Sequence, residues 1–174
     1  DQSTVPLLKE ENKLSSEYNV LIAQLEIIVD DKKYSMGNIS PLLSSPDRSI
    51  RKKAAEALYG ALESKQSEFD QIFHNLVQIR HKMALEMGYE NYVELGYKKL
   101  NRTDYTSQDV SEYRKAIYEY VVPVVKKLKN RQKKRLGLDL MKYYDAGFKF
   151  KSGNPTPKGT PEEIVKNGEI MYKE

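Results

Sequence analysis

Cysteine is absent from the 174 residues, and tryptophan with it. No disulfide can staple this chain, no thiolate can hold a metal, and no cysteine nucleophile is available. The absence is compatible with a reducing cytoplasm. Glycine (9) and proline (7) are few, and no run resembling the phosphate-binding order GxxxxGK[ST] occurs; "GNPTPKG" lacks it. Apolar runs are short, and none approaches the ~20 residues of a membrane span. Only two histidines are present, His74 and His81, so a Ser-His-Asp relay has little to draw on. Charge is balanced, 29 basic against 25 acidic residues, for a net charge of +4. Interleaved charge of this kind describes a solvated mixed surface.

What is plentiful is tyrosine, at 13 residues, within a composition 39% hydrophobic and 31% charged. That balance is globular and not disordered. The chain opens on Asp1 and closes on Glu174 inside a helical pattern. Both ends are therefore expected to be cut from a longer parent, and a leader lost with them would leave no trace.

Apolar periodicity predicts a mainly α fold: an antiparallel helical segment with a long central helix and one short β-hairpin. Leu14, Tyr18, Leu21, Ile22 and Leu25 follow helical spacing. "EIIVDDKKYS" then turns β-branched, with Asp30-Asp31 as the turn of a hairpin over about 26–35. The central helix is expected from "SSPDRSIRKKAAEAL" to Gly88, with Ser45 as its cap and Pro46 in its first position. Its apolar trail includes Ile50, Ala54, Leu58, Phe69, Phe73, Leu76 and Met83. Unbroken, it would be about 60 Å long; a break near Gly60 or Ser64 is the alternative. A short helix follows, then a loop in which Ser107 is expected to cap the next helix. There Val110, Tyr113, Ile117, Val121, Val124 and Leu128 form the apolar stripe. Pro123 lies inside that helix, so a kink is expected near Glu119 to Pro123. Gly137 ends it. Residues of about 138–159 form a connector, with a brief strand at Phe148 to Phe150 as its one candidate element. "TPEE" opens the last helix with a capping box of Thr160 and Glu163. The whole of 1–174 is expected to be a single helical segment.

The spacing of the histidines argues against a metal. Seven residues apart on a helix, they share an azimuth within about 20° but are separated by roughly 10.5 Å along the axis. One zinc needs its nitrogens about 2 Å away on each side, which HExxH achieves with an i, i+4 pair. Asp70, Gln71, Gln78 and Lys82 share their face and mark it as polar.

Two further constellations stand out. "KKLKNRQKKR" over 126–135 holds seven basic residues in ten. Either it meets nucleic acid or an acidic partner, or it is a solvated helix end where cations complement the dipole. "GYENYVELGYKKLNRTDY" gathers tyrosines around an arginine. Tyr97, Arg102 and Tyr105 are the substrate-binding candidates, with hydroxyls to hydrogen-bond a peptide and a guanidinium to clamp a carboxylate; ordinary helix packing is the competing reading.

Taken together, "SPDRSIRKKA", "MGYENYVELGY", "RTDYTSQDVSEYR", "VVPVVKKL", "RQKKRLGLD" and "SGNPTPKGTPEEI" resemble the oligoendopeptidase F family, zinc metallopeptidases of the thimet-oligopeptidase group. The likeness runs in order from about Leu7 to Glu174. It implies a clam-like zincin peptidase fold around a deep channel, and hydrolysis of short peptides by a zinc-activated water in a cytoplasmic enzyme. In that family two histidines of HExxH and a later glutamate hold the zinc. This sequence has no HExxH, so no catalytic residue and no zinc ligand can be carried over. The resemblance implies an internal fragment upstream of that motif, with zinc in the parent enzyme, none held here, and no activity alone. Its expected partners are short peptide substrates and the remainder of the parent chain, not nucleic acid and not a membrane. A helical binding or scaffold module with a basic helix end is the rival reading.

Overall fold

The computed structural model describes residues 2–173. The chain is mainly helical, with a single two-stranded sheet among the described residues. The first helix, α1 (Val5–Ala23), is started by a proline in its first turn, where the missing N–H would have had no partner. The hairpin pairs β1 (Ile27–Val29) with β2 (Lys32–Tyr34), in the register Ile27↔Tyr34 and Val29↔Lys32. Asp30 and Asp31 both adopt left-handed backbone, φ 47° and 65°. Two such residues make the turn whose twist matches the flanking strands, and aspartate tolerates it. Alternation then decides burial. Ile27 and Val29 enter the core while Ile28 faces out.

After a single-turn helix α2 (Ser40–Leu43) comes α3 (Arg48–Glu63), followed by α4 (Gln66–Glu86). The long apolar pattern therefore breaks, and it does so at Ser64. The Ser64 hydroxyl donates back to the Ala61 carbonyl at 2.7 Å, a bond that competes with helix propagation. The cap of α3 is Asp47 and not Ser45: its carboxylate accepts from the Ser49 N–H at 2.7 Å. Ser45 instead offers its hydroxyl to the Asp47 N–H and its carbonyl to Arg51. α1 lies antiparallel along α4, with Tyr18 meeting Phe69 at one end and Glu11 meeting Arg80 further along. One core forms from Ile27, Val29, Ile39 and Ala54, a second from Met83, Ala84 and Leu95. Phe73 departs from its expected place in the apolar trail and is 70% exposed.

Gly88 in left-handed backbone ends α4, and α5 (Tyr92–Lys99) begins on the Asn91 cap. The next helix, α6 (Ser107–Ala116), is capped by Thr106, one residue before the expected serine. Thr106 and Asp109 exchange the two bonds of a capping box, which Ser107 at that position could not build, because the acid must lie three residues on. Pro123 does not break the rod that follows. A five-residue π-turn, Ile117–Val121, comes first, with the Val122 N–H reaching back to the Ile117 carbonyl, and then α7 (Val122–Leu136) with Pro123 in its first turn. The wider turn accommodates the proline ring and its missing donor. The apolar stripe of this rod is present but uncovered. Tyr113, Val121, Val124 and Leu128 are all exposed, since no described element lies against them.

Gly137 closes α7 in left-handed backbone. No strand forms at Phe148 to Phe150. The segment is held by side chains instead: Gln132 donates to the Phe148 carbonyl at 2.6 Å, and the Lys149 N–H donates to Asn154. A turn of 3₁₀ helix (Tyr143–Asp145) precedes it. The last helix, α8 (Pro161–Met171), begins as expected, with Thr160 and Glu163 in a capping box.

Candidate functional site

The surface groove of interest begins at the end of α5. Asn101 takes left-handed backbone at φ 54°. The Asn101 N–H then bonds the Lys98 carbonyl, and the Arg102 N–H bonds the Tyr97 carbonyl at 2.9 Å. This pair of bonds is a Schellman closure, and it fixes where the Arg102 side chain departs from the backbone. The guanidinium comes to lie 5.5 Å from the centre of the Tyr97 ring. Tyr105 meets that ring edge-on at 6.2 Å. The three residues singled out from sequence thus come together. They line one cavity of about 430 Å³, and Arg102 and Tyr105 continue into a neighbouring one of about 470 Å³ with Asp109, Val110 and Tyr113. The last two are members of the groove that sequence spacing did not single out. They are the first positions of the α6 stripe, Val110 half-buried and Tyr113 exposed, and the capping box signal would have placed them beside the loop.

Charge within the groove is unevenly satisfied. Glu94 pairs with Lys98 at 3.0 Å, and Lys98 also donates to the Tyr89 hydroxyl, which raises the lysine above its ordinary range. Asp109 is engaged by Thr106, whose hydroxyl and N–H hold its carboxyl below the ordinary range. Among the described residues, Arg102 has no ion-pair partner, and its only side-chain contact of charge is the Tyr97 ring.

Two buried ion clusters, neither evident from spacing, hold elements of the frame together. Asp145 is fully buried. It accepts from the Arg48 Nε at 3.0 Å and Nη2 at 2.8 Å, from the Arg51 Nη2 at 3.0 Å, and from the Lys142 N–H at 2.9 Å. Burial alone would raise its pKa. The hydrogen bonds from Arg48, the Lys142 amide and Arg51 outweigh burial and hold the group down at about 2. Arg51, itself 2% exposed, also donates to the Ser45, Pro46 and Tyr144 carbonyls and covers the Phe148 ring at 4.1 Å. The second cluster is Glu11, which bonds Arg80 at 2.8 Å and Lys99 at 2.7 Å. Burial raises its pKa, but the two cations lower it further, for a net downward shift. It ties α1 to α4 and α5.

His74 and His81 are both exposed on α4. The basic run of 126–135 lies on α7. Lys126 to Arg131 face solvent, whereas Gln132 is buried against the connector and Arg135 bonds the Lys149 carbonyl and covers the Phe150 ring.

Residues 41–155 match the family described as peptidase family M3. The chain belongs to peptidase family M3. No match was found among curated proteins. A solved structure assigned to oligoendopeptidase F of Bacillus anthracis str. Ames is 42% identical, with a TM-score of 0.91, over 99% of this chain and 32% of that one. PZ peptidase A, solved with an inhibitor, is 40% identical with a TM-score of 0.94, over 99% of this chain and 31% of its own. A further oligoendopeptidase F structure is 39% identical, also with a TM-score of 0.94, over 99% of this chain and 31% of its own. This M3 chain therefore spans about a third of the length of the solved structures it matches. The mainly helical fold agrees with theirs. Among the described residues of the M3 chain, no group of three or more His, Asp or Glu side chains is arranged to hold a metal. No described helix is long and apolar enough to cross a membrane.

Proposed function

We propose that this chain is the scaffold and channel-wall segment of a cytoplasmic zinc metalloendopeptidase that cleaves short oligopeptides. The observation that carries the reading is family membership together with 39–42% identity to oligoendopeptidase structures over 99% of the chain. Zinc and its ligands belong to other parts of the parent, and residues 1–174 form one structural segment without activity of their own. Within it, Tyr97, Arg102 and Tyr105 face the peptide. Their clustering in the lining of one open groove, with the guanidinium beside the Tyr97 ring, supports that role.

The test is hydrolysis of an internally quenched fluorogenic peptide. The parent protein is expected to turn it over, to lose activity to a chelator and to regain it with zinc. Residues 1–174 alone should be inert under the same conditions. Chelator-sensitive turnover by the segment alone would defeat the assignment.

A further inference from the structure

The two adjoining cavities share Arg102 and Tyr105 but offer different chemistry. On one side stands a guanidinium whose neighbouring acids, Glu94 and Asp109, are already engaged by Lys98 and Thr106. On the other is a mostly apolar recess lined by Val110, Tyr105 and Tyr113, with Asp109, held by Thr106, also in its lining. The Arg102 guanidinium lies over the Tyr97 ring with its carbon 5.5 Å from the ring centre, and its N–H groups remain available to a planar, two-oxygen acceptor. A cation without an ion-pair partner next to a mostly apolar recess asks for a carboxylate and an apolar group close together. The last residue of a peptide presents both from a single α-carbon. An acidic side chain would have to leave the recess to a different residue.

We infer that this groove is a subsite for the C-terminal end of a peptide, with the terminal carboxylate on Arg102 and an apolar last side chain among Tyr105, Val110 and Tyr113. The inference rests on the peptidase reading above for its ligand class. It deepens that reading by naming which part of the peptide is recognised. Because Arg102 is placed by its own backbone closure and takes no part in either buried cluster, its replacement leaves them intact.

The experiment uses the full parent protein, stripped of metal so that nothing is cleaved, and fluorescence anisotropy of N-terminally labelled pentapeptides. Three are compared: one ending in Phe as the free acid, the same peptide amidated, and an amidated peptide with an internal Glu. The free acid is expected to bind about tenfold more tightly than its amide, consistent with a charge-assisted hydrogen-bond pair. Arg102→Gln should reduce the free acid to the level of the amide, Arg102→Lys should retain part of the difference, and added salt should weaken it. Tyr113→Ala should weaken the peptide ending in Phe and not one ending in Gly. Thermal melts of the variants should match the wild type.

Equal binding of acid and amide, an equal loss for all three peptides in Arg102→Gln, or an Arg102 dependence that follows the internal glutamate would each overturn the subsite. Hydrolysis by the zinc-loaded parent is measured in parallel. Turnover without discrimination between acid and amide removes the subsite and leaves the peptidase reading standing. Discrimination in binding without any turnover does the reverse.

Discussion

Replacing Asp145 by asparagine should destabilise this chain more than any other single isosteric change. The substitution keeps the shape and one acceptor but deletes the charge that Arg51 faces. Arg51 is 2% exposed and Asp145 fully buried, so the guanidinium would stay in a low-dielectric site without its counterion. The new amide would also turn N–H donors toward groups that only donate, among them the Lys142 N–H. Breaking one partner of a buried pair in this way costs about 3–5 kcal/mol. For a chain of this size that corresponds to roughly 6–20 °C in Tm. The pH dependence gives a second handle. Asp145 titrates at about 2 in the folded state against an ordinary 3.8, a difference of about 2 kcal/mol. A depressed carboxyl stabilises fully above its unfolded value, and the contribution is lost as pH falls from near 4 toward 2. Urea unfolding at pH 7 and at intervals down to pH 2 measures both. Asp145→Asn should lower the pH 7 midpoint and flatten the acid limb, and adding Arg51→Met should recover part of the loss by removing the stranded charge. If Asp145→Asn unfolds within about 1 kcal/mol of the wild type at pH 7, the cluster does not hold the connector to α3 as described.

Three further outcomes are expected. Glu11→Gln should cost less, about 1–2 kcal/mol by urea unfolding, because Arg80 and Lys99 are each over a third exposed and regain water; with its pKa lowered, Glu11 contributes fully above 4.5 and less as pH falls below it. Asn101→Gly should melt within a few degrees of the wild type, whereas Asn101→Val should cost about 1–2 kcal/mol, since a β-branched residue resists φ 54°. Thr106→Ala removes one capping bond and should cost about 1 kcal/mol, with faster amide exchange confined to the first turn of α6.

Local signals were legible where a single residue type controls the outcome. Thr160 with Glu163, and the glycines after α4 and α7, act within four residues of themselves, so their neighbours in sequence are their partners in space. The Asp30-Asp31 turn is of the same kind. Where two good caps stand side by side, sequence alone chose wrongly: Ser107 lost to Thr106 because the acid at position 109 completes the box only with Thr106, and Ser45 lost to Asp47 because its carbonyl is taken by Arg51. Tyr97, Arg102 and Tyr105 could be grouped because one tight turn joins them. Val110 and Tyr113 have the spacing of core positions in a helical stripe, yet Val110 is only half-buried and Tyr113 is exposed, so periodicity alone does not mark them as groove residues. The Asp145 cluster was beyond reach, since nothing in the pattern around residue 145 indicates which of 29 cations it will meet.

The bonds from Arg48 and Arg51 to Asp145 join positions 94 to 97 residues apart. Drawing such a loop together costs about 4 kcal/mol of chain entropy, so closure of this knot is expected to follow formation of the local helices. The same connector meets the end of α7, where Gln132 donates to the Asp145, Ala146 and Phe148 carbonyls. The helix is therefore tethered at its α7 end, and the π-turn at Ile117–Val121 lies between that tether and α6, where the regular backbone ladder is interrupted.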